Sequence, residues 1–188
     1  MERLRRAVGQ GSLLLDLDAS DLAAVFGQAV DRAVALGAVS EGDRDTIVDD
    51  LLTREQRFST AIGHAVAVPH AYLEGLTDQV VVFVRLKRPL NMGAPDGTPT
   101  WFLFVLLGPP DHATEHLDTL PAIARLMSDE EFEYEAGEAR NDNELLAALV
   151  HFKLLAPVRL LAARMFAPAH LEALDAEEEP EAEQQQWV

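Results

Sequence analysis

The sequence predicts an α/β protein with helices on both faces of a small sheet. Three observations carry this. First, Gln79-Val80-Val81-Val82-Phe83-Val84-Arg85-Leu86 and Thr100-Trp101-Phe102-Leu103-Phe104-Val105-Leu106-Leu107 are nearly continuous apolar runs. Strands covered on both faces read this way. Second, Leu22, Val25, Phe26, Ala29, Val30, Ala33 and Val34 recur at three- and four-residue spacing, the mark of an amphipathic helix. Third, a shorter apolar run, Ala65 to Val68, ends at Pro69, and His70 follows at once.

The elements follow in order. Leu13-Leu14-Leu15-Asp16-Leu17 reads as a first strand, and Asp18-Ala19-Ser20-Asp21 offers N-cap chemistry for the helix behind it. Gly37 stops that helix. Ser40-Glu41-Gly42-Asp43 opens a second helix, with Ile47, Val48, Leu51 and Leu52 as its buried stripe. Gly63 is turn-compatible, Ala65 to Val68 is β-branched enough for a strand, and Pro69 ends it for want of an N–H. Pro95-Asp96-Gly97-Thr98-Pro99 is turn chemistry between the two long strands. Trp101 and Phe102 read as core. After Gly108-Pro109-Pro110, a helix carries Leu117, Leu120, Ile123, Ala124 and Met127. Pro121 must lie in its first turn or kink it; His116 falls before that helix or on its first turn, according to where the helix starts. Ser128-Asp129-Glu130-Glu131 caps a helix running to about Arg140. Asn141 to Glu144 cap another, with Leu145, Leu146, Leu149, Val150 and Phe152.

Composition narrows the function. The chain has 188 residues and a formal net charge of −17, which argues against a nucleic-acid partner, since such binding relies on Lys and Arg neutralising phosphates. Asp175 to Glu183 holds six acids and no base; without them 26 acids still face 15 bases. An acidic surface suits a basic protein partner or simply solvation. There is no cysteine, hence no disulfide, thiolate nucleophile or Cys-based zinc site, which is compatible with a reducing cytoplasm. No apolar run approaches the roughly 20 residues of a membrane span, and no signal-type segment follows Met1 to Arg6. A soluble polypeptide is expected.

His70 is the candidate functional residue. A strand end presents it to a cleft, where ligands gather in α/β proteins, and imidazole titrates near physiological pH. The bland alternative is a structural strand-end histidine. His64 reads as solvent-facing, and His112, His151 and His170 as incidental.

Arg54-Glu55, Ser59-Thr60, Gly63, Ala67-Val68-Pro69-His70, Asp96-Gly97 and His116-Leu117 occur in this order. Together they resemble the fructose/mannitol/nitrogen-type EIIA domain of the bacterial phosphotransferase system, over roughly residues 12–152. The resemblance implies a small mixed sheet with helices on both faces. It implies that His70 accepts a phosphoryl group from the carrier HPr and passes it to a permease domain. It places a second active-site histidine at His116 and the site arginine at Arg54, a role that the neighbouring Arg57 could take instead.

The chemistry agrees. A phosphoryl acceptor needs a neutral, accessible imidazole nitrogen. The transferred group passes through a loose in-line transition state, so the protein mainly positions it and balances its charge. A second imidazole and a guanidinium can hydrogen-bond the phosphate oxygens. No cofactor or metal is required. The alternative, a zinc site built on His70 and His116, lacks a third ligand at a recognisable spacing.

A second resemblance rests on Phe83-Val84-Arg85-Leu86, Phe102 to Pro109 and Ile123 to Phe132. These resemble the cytosolic domain of band 3-type anion exchangers and bicarbonate transporters, which shares the EIIA fold. It implies the alternative of a non-enzymatic regulatory domain attached to a transporter's membrane part, with residues 154–174 as a helical arm building a homodimer. An ordinary linker helix reads those residues equally well. The expected organisation is an EIIA-like domain over 1–153, the arm or linker over 154–174, and an acidic disordered tail over 175–188.

Overall fold

A computed structural model describes residues 12–110, 113–149 and 151–152, with the side chains of 113–118 outside the description. The expected arm (154–174) and acidic tail (175–188) lie outside the described residues.

The chain begins with β1 (Leu13–Leu17) and helix α1 (Leu22–Ala35). Asp21 caps α1, its carboxylate accepting from the Ala24 N–H at 2.9 Å. At the other end Gly37, at φ 68°, lets its own N–H reach the Val34 carbonyl and that of Ala38 reach Ala33, a Schellman stop. Ser40 caps a single 3-10 turn, Glu41–Asp43, which leads into α2 (Arg44–Arg57). Ile47 and Leu51 of α2 are buried, and the expected stripe members Val48 and Leu52 are half-buried.

The next stretch differs from the single short strand expected. It forms three pieces: β2 (Ala61–Gly63), β3 (Val66–Ala67) and β4 (His70–Tyr72). β2 and β3 pair antiparallel through a two-residue turn whose central residues, His64 and Ala65, have φ of 51° and 59°. Positive φ at both positions is the hairpin geometry that matches strand twist. The Asp96 carboxylate pins this turn, accepting from the His64 N–H at 2.8 Å and the Thr98 N–H at 3.0 Å. Pro69 therefore does not end the strand. It interrupts it, and the chain resumes as β4.

β5 (Val80–Leu90) and β6 (Thr100–Gly108) form the antiparallel centre of the sheet. The strand order is β1-β5-β6-β3-β2, with β4 also beside β6. β1 runs parallel to β5, while β3 and β4 run parallel to β6. The mixed sheet follows expectation, and its two faces are both covered. Val82, Val84, Leu103, Val105 and Leu107 pack with α1 and α2 residues such as Phe26, Val30 and Leu51. Their alternate neighbours Val81, Phe83, Phe102, Phe104 and Leu106 pack on the opposite side. That side is covered by α3 (Ala113–Met127), α4 (Glu130–Glu138) and α5 (residues 142–149). Period-two alternation assigns each strand residue to one layer.

One expectation is corrected here and another is narrowed. Of the two places open to Pro121, the structure takes the one inside α3 rather than in its first turn, so the helix continues past a residue with no N–H to donate. Trp101 is 39% exposed, while Phe102 is buried, because adjacent strand residues face opposite sides.

Arg85 is a buried cation within the apolar part of β5. Its Nε and Nη2 reach Asp16 at 3.2 and 3.0 Å, and Nη1 donates to the carbonyls of Ala136 and Gly137 at 2.8 and 2.7 Å. Asp16 is aimed by a left-handed backbone (φ 56°) at an irregularity in the β1 ladder. The guanidinium thus ties the end of α4 to the sheet and satisfies helix carbonyls that have no partner within the helix.

Phe83 stands edge-on to Phe104 at 5.0 Å and tilted to Phe102 at 6.0 Å. Phe83→Ala is expected to lower stability by about 3–5 kcal/mol, a large fraction of a typical domain's total. Urea unfolding checks this; a loss under about 1 kcal/mol would contradict the packing described.

Candidate functional site

His70 opens β4, at the edge of the sheet beyond the reach of β2. The Pro69 carbonyl turns toward β6 and accepts from the Leu106 N–H at 2.8 Å. The Val68 N–H turns the other way, to the Thr60 carbonyl at 3.0 Å. The Val68 carbonyl accepts the His70 ring instead, with Nδ1 at 3.1 Å. A carbonyl can only accept, so Nδ1 carries the proton. In that tautomer the ring's acceptor lone pair is on Nε2. Tyr72, on the same strand face, stands edge-on to the imidazole with ring centroids 6.1 Å apart.

Helix α2 packs beside β4 and brings the end of its last turn toward His70. Burial is the main cause holding the imidazole below the ordinary 6.5. The hydrogen bond to Val68 opposes this. The Arg54 guanidinium also disfavours the charged ring, and the Glu55 carboxylate favours it. The net effect is a neutral ring at pH 7. Glu55 is held in place by Thr60, whose N–H and Oγ1 donate to its two oxygens at 2.9 and 2.6 Å. Arg54 is exposed, and no carboxylate among the described residues pairs with it.

Of the three expected site residues, the structure brings Arg54 and His70 into one electrostatic environment. The backbone of His116 lies on the first turn of α3, which begins at Ala113; its side chain lies outside the described residues. His64 is exposed in the β2–β3 turn, at the far end of the broken strand from His70. Two contributors had no role assigned from the sequence. Tyr72 carried a signal, since residue i+2 on a strand shares a face. Glu55 stood with Thr60 in the pattern that carries the family resemblance, but its role could not be read there, because its contact with Thr60 depends on how the chain leaves α2.

A mixed sheet with helices on both faces, and a neutral histidine on an edge strand beside an arginine, define a domain that can hold a small anionic group on imidazole. The family model for the phosphoenolpyruvate-dependent sugar phosphotransferase system, EIIA 2, matches residues 9–151, and the chain belongs to this family. A nitrogen regulatory protein of Bradyrhizobium diazoefficiens is 33% identical over 123 residues, covering 65% of this chain and 80% of that protein. The crystal structure of nitrogen regulatory protein IIA-Ntr from Neisseria meningitidis superposes with a TM-score of 0.67 at 26% identity, covering 78% of this chain and 98% of that one. The IIA component in a complex of IIA and phosphorylated IIB mannitol enzymes from Escherichia coli shares the fold, with a TM-score of 0.61 at 19% identity over 74% of this chain and 94% of that one. The second resemblance is also present: band 3 anion exchange protein of Oncorhynchus mykiss is 30% identical over 176 residues, covering 80% of this chain but only 19% of that protein. No helix among the described residues is long and apolar enough to cross a membrane.

The opposing fields of Arg54 and Glu55 are separable. Arg54→Gln is expected to move the His70 titration midpoint upward, and Glu55→Gln to move it downward. NMR titration of the ring protons reads both signs. The same direction of shift in both variants would contradict the described arrangement.

Proposed function

We propose that this domain accepts a phosphoryl group on Nε2 of His70 from the phosphohistidine of an HPr-type carrier. It then passes the group to an EIIB-type acceptor attached to a permease, or uses it as a regulatory signal. The observation that carries this is the Nδ1–Val68 hydrogen bond, which fixes the tautomer that a nucleophilic Nε2 requires.

In the transfer, the donor's phosphorus–nitrogen bond breaks as the bond to His70 Nε2 forms. The donor imidazole leaves with the electron pair, and the His70 proton stays on Nδ1, still donated to the Val68 carbonyl. The group carries about −1.5 to −2 charge. Arg54, exposed and with no carboxylate partner among the described residues, supplies the compensating cation, and His116 supplies a second donor from the first turn of α3. The setting this requires is the cytoplasm, where such carriers work.

Intact-mass analysis tests this, after incubation with phosphoenolpyruvate, the first enzyme of the system and HPr. One acid-labile phosphate is expected, absent in His70→Ala. Arg54→Gln removes a charge-assisted contact of about 1.5–3 kcal/mol, so labelling slows roughly tenfold to a hundredfold. Normal labelling of His70→Ala would overturn the assignment.

The similarity to the band 3 protein favours a second reading, in which the fold serves as a regulatory and dimerising domain of an anion transporter, bicarbonate being one candidate. Sedimentation would then show a homodimer that is lost when residues 154–174 are removed. A monomer with those residues present would count against it.

A further inference from the structure

Three metal-ligating side chains meet far along the chain from His70. Glu131 and Glu135 stand one turn apart on α4, so their carboxylates share a face. His151 comes from the helical residues that follow α5. One ligand atom from each lies within 4.8 Å of the other two. His151 Nδ1 and Glu135 Oε1 are 3.0 Å apart, and the two side chains are 43% and 32% exposed. The sequence alone made His151 incidental; the structure does not.

The donors are held from below. Phe132 follows Glu131 in the chain and Phe152 follows His151. Their rings meet edge-on at 6.2 Å, with Phe132 fully in the core. This contact fixes the two backbones that carry the three donors, and preorganisation of that kind is what a metal site needs.

Helix α4 is strongly acidic. α4 reads Glu-Glu-Phe-Glu-Tyr-Glu-Ala-Gly-Glu and holds no base. Its first-turn acids sit favourably at the positive end of the helix dipole, but Glu135 and Glu138 lie toward the negative end. Glu131 and Glu135 are also a like-charge pair at i and i+4, which is destabilising. A cleft of about 400 Å³ adjoins Glu135 and His151, lined also by Glu138 and Glu144 among others. Glu144 is occupied there, accepting from the Arg140 N–H and the Asn141 amide to cap α5.

We infer that Glu131, Glu135 and His151 bind one divalent transition-metal ion of the zinc class, with water completing its shell. One imidazole nitrogen and two carboxylate oxygens form an open, zinc-type donor set. The nitrogen disfavours magnesium and calcium, which take oxygen ligands. The imidazole would exchange its hydrogen bond to Glu135 for a bond to the metal. Bound metal would clamp α4 to the residues just after α5, where the chain continues toward 154–174.

Titration calorimetry of the chelator-treated full chain with zinc chloride tests this, with cobalt(II) absorbance as a second readout of the ligand set. One equivalent is expected, unaffected by excess magnesium. Glu135→Gln and His151→Gln should each weaken binding by about tenfold or more, with circular dichroism confirming that both are folded. Glu131→Gln, at an exposed position, gives the same readout with the least risk to the fold. His70→Ala should bind zinc as the parent does, which separates this site from one on His70 and His116. No binding, or binding that survives all three substitutions, means an adventitious ion only and overturns the inference.

Discussion

Pro69 interrupts the strand, yet the register with β6 does not shift across the interruption. Val66 pairs with Phe102 and His70 with Leu106, at the same offset on both sides. The constraint is a backbone account that must close. Proline has no N–H to give, but its carbonyl still takes the Leu106 N–H. The Val68 carbonyl points outward, past the point where β2 has turned away toward α2. There it meets the His70 ring. The missing donor in the ladder and the acceptor for the imidazole are two results of the same break.

What surrounds that hydrogen bond is set by the two covered faces of the sheet. The layer of α1 and α2 places the end of α2 against β4, so Arg54 and Glu55 arrive together beside His70. Their charges oppose each other there. Thr60 takes both oxygens of Glu55, which holds the carboxylate on the loop. Arg54 also sits at the negative end of its helix, where a cation is favoured. On the opposite face, the buried Arg85 spans β1, β5 and the end of α4. It makes the second layer rigid through charge-assisted bonds inside an otherwise apolar run.

Much of this was legible in the residues. Val81 to Leu86 and Phe102 to Leu107 announced doubly covered strands because every position is apolar, apart from Arg85. Asp21 and Gly37 marked the ends of α1 through cap chemistry that depends only on local geometry. The β2–β4 region was not legible as three strands. Its pieces are two or three residues long, and its turn uses His64 and Ala65 at positive φ, where Asn-Gly or Asp-Gly would have signalled a hairpin. The Asp96 carboxylate that holds this turn comes from a loop more than thirty residues away. Pro121 could be placed only to within two alternatives for a related reason, since where α3 begins depends on tertiary packing of residues such as Ile123, Leu126 and Met127. At the site, Pro69-His70 stood out by itself, whereas Arg54 and His116 were indicated by family resemblance. Glu55 and His151 act through contacts that only the folded chain brings together.

The tautomer of His70 is the most direct test of this account. Long-range proton–nitrogen NMR correlation on nitrogen-15-labelled protein near pH 7 reports which ring nitrogen carries hydrogen. Nδ1 should be protonated and Nε2 unprotonated, and after phosphorylation the phosphorus should couple to Nε2. A ring protonated on Nε2, or a phosphoryl group on Nδ1, would contradict the role given to the Val68 carbonyl and with it the orientation of the site.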